Sequence, residues 1–243
     1  MNKMKKKYTH LFFDLDNTLW DFKNNSFRAL QQTFIHFNLH LRDIAFGLFY
    51  DEYERNNKQL WEGYRSGSVR KKELTRLRFS QTLLKFQVDD ISPDEMNRVY
   101  LTGMPRQNQL IDGALELLEY LKSKGCHLFI LTNGFREVQY EKLEVAGLHQ
   151  FFTRVFISED VKAPKPSREI FEYAIKSANA KKRSSLMIGD DVEVDVAGAL
   201  NVGMDAVWFN PGLHPEHDKL EIIPRSRVTR YTISSLLELR DIV

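Results

Sequence analysis

Two aspartates two residues apart, Asp14 and Asp16, follow the short apolar run Leu11-Phe12-Phe13. In an extended chain, residues two apart point to the same side. Two carboxylates side by side repel, and burying both is costly unless something compensates. A hard cation removes that cost. Mg2+ takes oxygen ligands and is usually held by one or two carboxylates together with substrate phosphate and water. A further carboxylate, Asp190, closes a second apolar run, and Asp195 follows on the next helical turn, where it would orient the site from behind.

This set suits phosphate chemistry. A phosphate monoester is a poor electrophile because it is itself anionic. Mg2+ and Lys165 would offset its repulsion of the Asp14 carboxylate, so that attack by Asp14 gives an aspartyl-phosphate. Asp16 would act as general acid on the leaving oxygen and then as general base on the hydrolytic water. Thr132, with the backbone N–H groups of the Asn133-Gly134 turn, would bond the equatorial oxygens of the transferring group. Taken singly, each piece has an ordinary alternative. An Asp-x-Asp pair is commonly solvated, Thr132-Asn133-Gly134 is a turn, Lys165-Pro166 fits a loop, and Asp191 is placed to cap a helix. The weight lies in all four occurring in order, at the ends of apolar runs or in the loops beside them.

Those apolar runs are the elements that must position the chemistry. Residues 10–13, 127–131, 154–157, 185–188 and 206–209 read as strands, with a possible last one at 229–233. Between them come helical stripes: Ala114, Leu117, Leu118 and Leu121 before Gly125, residues 136–146 before Gly147, Ile170 to Ala178, and 194–200. Strands alternating with helices predict an α/β fold with a Rossmann-like parallel sheet. Chemistry in such sheets sits beyond the carboxyl ends of the strands. Asp14/Asp16, Thr132/Asn133 and Asp190/Asp191 all fall there. Residues 21–107 show only helical signals. Phe27, Leu30, Phe34 and Leu41 recur near helical spacing, as do Phe79, Leu83 and Phe86, and Ser92-Pro93-Asp94-Glu95 is a helix start. The expected division is a core of residues 1–20 and 108–243 with an inserted helical cap of residues 21–107.

The bulk numbers set outer bounds. At 243 residues the chain can bury one large core plus a smaller module. With 42% hydrophobic and 28% charged residues it is globular, not disordered. A formal charge of +2 spread along the chain gives no reason to expect a nucleic-acid polymer as partner. No apolar run approaches the ~20 residues of a membrane span, and the run after the basic residues 1–7 is too short for a signal peptide. Cys126 stands alone, so no intrachain disulfide forms, which fits the cytoplasm. Cys126 reads as a small buried residue. His36 and His40, four apart on an expected helix, lack a third metal ligand nearby, and His214 and His217 read as surface residues. A monomer is the simplest expectation.

Asp14-Leu15-Asp16-Asn17-Thr18, Thr132-Asn133, Lys165-Pro166 and Gly189-Asp190-Asp191 through Asp195 together resemble the four motifs of the haloacid dehalogenase-like hydrolases. The resemblance spans nearly the whole chain. It implies Asp14 as nucleophile, Asp16 as acid and base, and Asp190 as a magnesium ligand. It adds the Asp14 carboxylate and the backbone carbonyl of Asp16 to the metal's ligands. Residues 19–22 would belong to a flexible turn that opens and closes the site. The helical insertion is similar to the family's cap. True dehalogenases lack an aspartate two residues after the nucleophile, so Asp16 argues for phosphoryl transfer.

Specificity should lie in the cap. Its most distinctive stretch is Leu60-Trp61-Glu62-Gly63-Tyr64-Arg65-Ser66-Gly67, followed by the basic segment 69–78. Trp61 and Tyr64 would stack on a base or ring, and Arg65 or Arg70 would meet an anionic or carbonyl group. Packing of the aromatics within the cap is the competing account. The stretch resembles the bacterial nucleoside-monophosphate phosphatases that act on pyrimidine nucleotides, including noncanonical ones. The expected partner is therefore a small phosphorylated substrate, foremost a nucleoside 5'-monophosphate. A sugar-phosphate phosphatase or phosphoglucomutase-type isomerase stands second, and an inactive protein that only binds a phosphorylated ligand third.

Overall fold

The computed structural model describes residues 8–212, 220–223 and 228–243. They form two compact units, with boundaries between Phe22 and Lys23 and between Asn108 and Gln109. Residues 1–7, His214 and His217 lie outside the described residues. Among the described residues no helix is long and apolar enough to cross a membrane.

The first unit is built on a seven-stranded sheet. Its strands are β1 (His10–Phe13), β2 (His127–Thr132), β3 (Arg154–Ile157), β4 (Ser185–Gly189), β5 (Asp205–Phe209), β6 (Leu220–Ile223) and β7 (Val228–Ile233). They lie in the order β3-β2-β1-β4-β5-β7-β6, and every neighbouring pair is parallel except β6 with β7. The central strands carry continuous apolar runs because a parallel sheet is covered on both faces. Leu11, Phe12 and Phe13 of β1 are all fully buried, as is every residue of β4. The sequence reading had no counterpart for β6, a short antiparallel edge strand.

Strand order decides where the chemistry can go. The chain moves outward from β1 in both directions, through β2 and β3 on one side and β4 and β5 on the other. Such a switch point leaves a crevice at the carboxyl ends of the strands. Register aligns those ends: Phe13 lies beside Ile130 of β2 and Ile188 of β4. Asp14, Thr132 and Gly189-Asp190 therefore leave three adjacent strands at nearly one level. The Asp14 N–H still donates to the Ile188 carbonyl at 2.9 Å, so the backbone of Asp14 is held by the sheet.

The second unit is helical: α1 (Phe22–His36, whose first residue belongs to the first unit), α2 (Phe46–Ser66), α3 (Lys71–Lys85) and α4 (Pro93–Gly103). Leu30, Phe34, Phe49, Tyr53, Phe79 and Tyr100 are buried. Of the expected stripe, Phe27 is 37% and Leu41 75% exposed. Leu41 is not on α1 at all, because Asn38 turns left-handed (φ 56°) and Leu39–Leu41 forms a separate 3-10 turn. The same break puts His36 and His40 on different elements. Ser92 caps α4 by accepting from the Glu95 N–H, and Pro93 takes the first helical position.

In the first unit, α5 (Ala114–Ser123), α6 (Arg136–Val145), α7 (Ser158–Val161), α8 (Arg168–Ser177) and α9 (Ala197–Asn201) join the strands. Ile170, Phe171 and Ala174 of α8 pack with Phe12, Phe129 and Met187 of the sheet in one core. Full burial of such side chains is worth roughly 1.5–3 kcal/mol each. α9 is preceded by a turn of π-helix, Val192–Val196, where the sequence predicts ordinary helix from 194. Cys126 is buried.

Candidate active site

Asp14 is the first residue beyond β1. Its Oδ1 accepts from Lys165 Nζ at 2.6 Å, and the same ammonium donates to Asp195 Oδ1 at 2.6 Å. The side chains of Lys165 and Asp195 are each 2% exposed. Oxygens of Asp14, Asp190 and Asp195 all lie within 4.8 Å of one another. Three carboxylates thus gather around one ammonium.

The electrostatics follow from that imbalance. Burial, and then repulsion by Asp195, push the Asp190 carboxyl up to about 7. Burial pushes Asp14 well above the ordinary range, Lys165 pulls it back, and Asp195, Asp190 and Asp16 push it up again. Asp195 is raised as well, by burial first, against the pull of Lys165. Burial alone would lower Lys165, but Asp14 and Asp195 outweigh it and hold the ammonium charged. A cluster short of positive charge and rich in hard oxygen donors fits a divalent cation such as Mg2+.

Each side chain is held by a local device. Asp191 caps the π-helical turn, its Oδ1 accepting from the N–H groups of Glu193 (2.9 Å) and Val194 (3.0 Å). Asp195 then returns toward the strand end, where its Oδ2 accepts from the Asp191 N–H at 3.3 Å. A Cβ on Gly189 would collide with the Asp195 carboxylate, so only glycine fits there. Trp208 of β5 donates to the Asp190 carbonyl at 3.0 Å, and Thr18 donates to Asp190 Oδ1 at 3.4 Å.

Asn133 and Thr132 hold the opposite wall. The Asn133 carboxamide grips the backbone of Lys165 twice, donating to its carbonyl (3.0 Å) and accepting from its N–H (2.8 Å). The Asn133 side chain therefore sets the lysine loop. Thr132 Oγ1 accepts from the Gly134 N–H at 3.1 Å and from Gln139 Nε2 at 2.8 Å. With both lone pairs taken, its hydroxyl hydrogen is what it can offer. The Gly134 N–H, expected for a phosphoryl oxygen, is engaged by Thr132.

Asp16 stands apart from the other carboxylates. The strand ends at Phe13, so the alternation of an extended chain does not extend to Asp16. Its Oδ1 accepts from Lys142 Nζ at 2.5 Å and its Oδ2 from Gln139 Nε2 at 3.0 Å. Its carboxylate is thus engaged with α6, which leaves its backbone carbonyl as what it would offer a metal. Lys142 and Gln139 went unnoticed in the sequence. The available signal was a polar pair at i and i+3 on α6, interleaved with Val138 and Leu143, which are also buried. Burial lowers the Lys142 ammonium's pKa, with Asp16 opposing that shift.

Residues 15–20 form a tight turn: the Leu19 and Trp20 N–H groups both donate to the Leu15 carbonyl, and Asn17 sits left-handed (φ 58°). Trp61, Tyr64 and Arg65 belong to the helical unit, on the last two turns of α2 and half-buried. The Trp61 and Tyr64 rings meet edge to face at 5.5 Å. Arg70 precedes α3, its N–H donating to Glu73 at 2.8 Å.

A family model for haloacid dehalogenase-like hydrolases matches residues 8–203. The chain belongs to that family. The match takes in all of Asp14, Asp16, Thr132, Lys165, Asp190 and Asp195. Across its length the chain is 32% identical to the pyrimidine 5'-nucleotidase YjjG of Escherichia coli (strain K12), covering 98% of each protein. It is 32% identical to the pyrimidine 5'-nucleotidase PynA of Streptococcus pneumoniae (strain ATCC BAA-255 / R6), covering 96% of this chain and 95% of that one. A magnesium-bound crystal structure of the putative HAD-hydrolase YfnB from Bacillus subtilis superposes with a TM-score of 0.83 at 32% identity, over 98% of this chain and 99% of that one.

Proposed function

We propose that this haloacid dehalogenase-like hydrolase is a Mg2+-dependent phosphate-monoester hydrolase acting on nucleoside 5'-monophosphates, pyrimidine nucleotides foremost. The observation that carries the reading is the separation of two aspartates two residues apart into different environments. Asp14 faces Lys165 among buried carboxylates, while Asp16 is held by Lys142 and Gln139. Distinct surroundings suit distinct tasks for two carboxyl groups.

Asp14 attacks phosphorus, and the bond from phosphorus to the ester oxygen breaks. Asp16 gives its proton to that departing oxygen, which leaves as the alcohol. The Asp16 carboxylate then takes a proton from water as the water's oxygen attacks the aspartyl-phosphate. Phosphate leaves and Asp14 is restored. Lys165, bonded to Asp14, offsets negative charge as the two anions meet. Thr132 turns its hydroxyl hydrogen toward a phosphoryl oxygen. Asp14 and Asp190, with the Asp16 carbonyl, would hold the Mg2+, and Asp195 and Asp191 support them from behind. The cation supplies charge neutralisation to the phosphoryl oxygens when bound. The helical unit would choose the substrate, with Trp61 and Tyr64 as candidate stacking groups and Arg65 as a candidate polar contact. The names of the two nucleotidases similar over the full length support the substrate class.

The test is a panel of phosphate monoesters with Mg2+ and then with chelator. Nucleoside monophosphates should release phosphate fastest, and chelation should stop it. Preference for hexose phosphates would sink the nucleotidase reading. Isomerised product without free phosphate would mean a mutase. No turnover of any ester would leave a binding protein. Asp14→Asn should lose at least about a thousandfold in kcat while melting as a folded protein, because only the nucleophilic oxygen changes.

A further inference from the structure

Asp16 is gripped at both oxygens from a single helix. Lys142 Nζ holds Oδ1 at 2.5 Å and Gln139 Nε2 holds Oδ2 at 3.0 Å. With one donor per oxygen, the plane of the carboxylate is fixed. Both partners are fully enclosed: Gln139 is 0% and Lys142 2% exposed. The Gln139 amide nitrogen also donates to Thr132 Oγ1 at 2.8 Å, so its two hydrogens link Asp16 to Thr132. Among the described residues its carbonyl oxygen has no hydrogen-bond partner. Lys142 Nζ lies 4.3 Å from the centre of the Trp20 ring and 5.2 Å from that of Phe22. The ammonium thus lies between the Asp16 carboxylate and the rings of Trp20, which ends the residue 15–20 turn, and Phe22.

Stability is a poor reason for this arrangement. A buried ion pair is on average no better than apolar residues of the same volume. A helix that needed only to pack would carry leucine or methionine at both positions. The pair instead orders one partly exposed carboxylate just beyond the end of β1.

We propose that Lys142 and Gln139 are positioning residues. They hold the Asp16 carboxyl group in the orientation that delivers its proton to the leaving oxygen, and Gln139 keeps it in register with Thr132. The assignment rests on the reading of Asp16 as acid and base given above. Neither residue touches substrate. The proton moves between Asp16 and the ester oxygen, then between water and Asp16.

The leaving group makes the test. A nucleoside 5'-monophosphate expels an alkoxide that must be protonated, whereas p-nitrophenyl phosphate expels a stable phenolate that needs little help. Lys142→Met, Gln139→Leu and Lys142→Arg are compared with the wild type by kcat/KM on both esters, with Mg2+. In the Met and Leu variants kcat/KM for the nucleotide should fall by about 10²-fold or more, as for loss of a general acid. With the aryl ester it should fall by less than about tenfold. The aryl ester should then show a burst of about one equivalent of nitrophenol per site, because the aspartyl-phosphate now waits for a poorly placed base. Lys142→Arg should recover part of the nucleotide activity, since it restores a donor to Oδ1. Equal losses on both esters, or no loss on either, would overturn the proposal. If Lys142→Met does not fold, Gln139→Leu carries the same comparison. Wild-type protein that turns over neither ester would instead defeat the phosphatase reading.

Discussion

Raising the pH in the presence of a chelator should destabilise this protein, and Mg2+ should reverse the loss. Asp190 is pushed from its ordinary 3.8 up to about 7 by burial and by the nearby Asp195 carboxylate. A carboxyl group raised in the folded state stabilises the fold while it keeps its proton. That contribution is complete below about pH 4 and is lost as the pH rises through about 7. For Asp190 alone it is on the order of 4 kcal/mol, and Asp14 and Asp195 shift in the same direction. In a chain of this size 1 kcal/mol moves the melting temperature by about 2–4 °C, so the fall between pH 5 and pH 8 should be roughly 10 °C. Metal binding needs the carboxylates unprotonated, so its stabilisation grows over the same window. At a hundredfold excess over Kd it contributes about 2.7 kcal/mol. The assay is thermal melting at pH 5, 6, 7 and 8, in EDTA and in Mg2+, for the wild type and Asp190→Asn. Groups outside the cluster titrate equally in both proteins, so their difference reports Asp190 together with the Asp14 and Asp195 carboxyls coupled to it. In EDTA the variant should exceed the wild type at pH 8 by more than it does at pH 5. At pH 8, Mg2+ should raise the melting temperature of the wild type clearly and that of the variant much less. A difference in EDTA that stays flat with pH would refute the reasoning, as would an equal Mg2+ effect at pH 5 and pH 8.

Other parts of the site give further expectations. Asn133→Ala removes both bonds to the Lys165 backbone and should cost about 1–3 kcal/mol in denaturant unfolding, with a lower kcat because the lysine loop is no longer fixed. Gly189→Ala drives a methyl group into the Asp195 carboxylate. It should destabilise by about 1–3 kcal/mol and weaken Mg2+ binding measured by calorimetry. Asp191→Ala removes the cap of the π-helical turn, for a loss of about 0.5–2 kcal/mol in the same unfolding experiment, with a smaller effect on turnover than Gly189→Ala.

The strands that carry the site were legible because each is a short apolar run ending abruptly in polar residues. Leu11-Phe12-Phe13 before Asp14 is buried on both faces, and the pattern shows it. The ends of β1, β2 and β4 fall together because parallel pairing aligns them, which the alternation of strands and helices implies. The elements that escaped lack such a signal. β6 is four residues with a charge among them, paired on one side only. The π-helical turn differs from an α-helix by one residue in its bonding, the Val196 N–H reaching the Asp191 carbonyl. A hydrophobic period cannot resolve that difference. In the helical unit, Leu41 fits the helical spacing of Leu30 and Phe34, yet the left-handed Asn38 ends the helix before it.

The site divides along the same line, between what neighbours in sequence decide and what distant contacts decide. Asp14 and Asp190 stand out because each follows an apolar segment, where a charge needs a reason, and Lys165 stands out only by its place in order among the other motifs. Lys142 does not stand out. A lysine on a helix is ordinarily solvated, and α6 also carries Arg136, Glu137, Glu141 and Glu144. Lys142 is buried because Asp16, 126 residues away, lies opposite it. Gln139 is held likewise by Asp16 and Thr132. Only the pairing of β1 with β2 brings these residues together, since α6 follows β2 and Asp16 follows β1. The sheet that aligns the nucleophile with Thr132 therefore also delivers the helix that fixes the second aspartate. The close spacing of Asp14 and Asp16 is resolved into two environments by the end of one strand and the inner face of one helix.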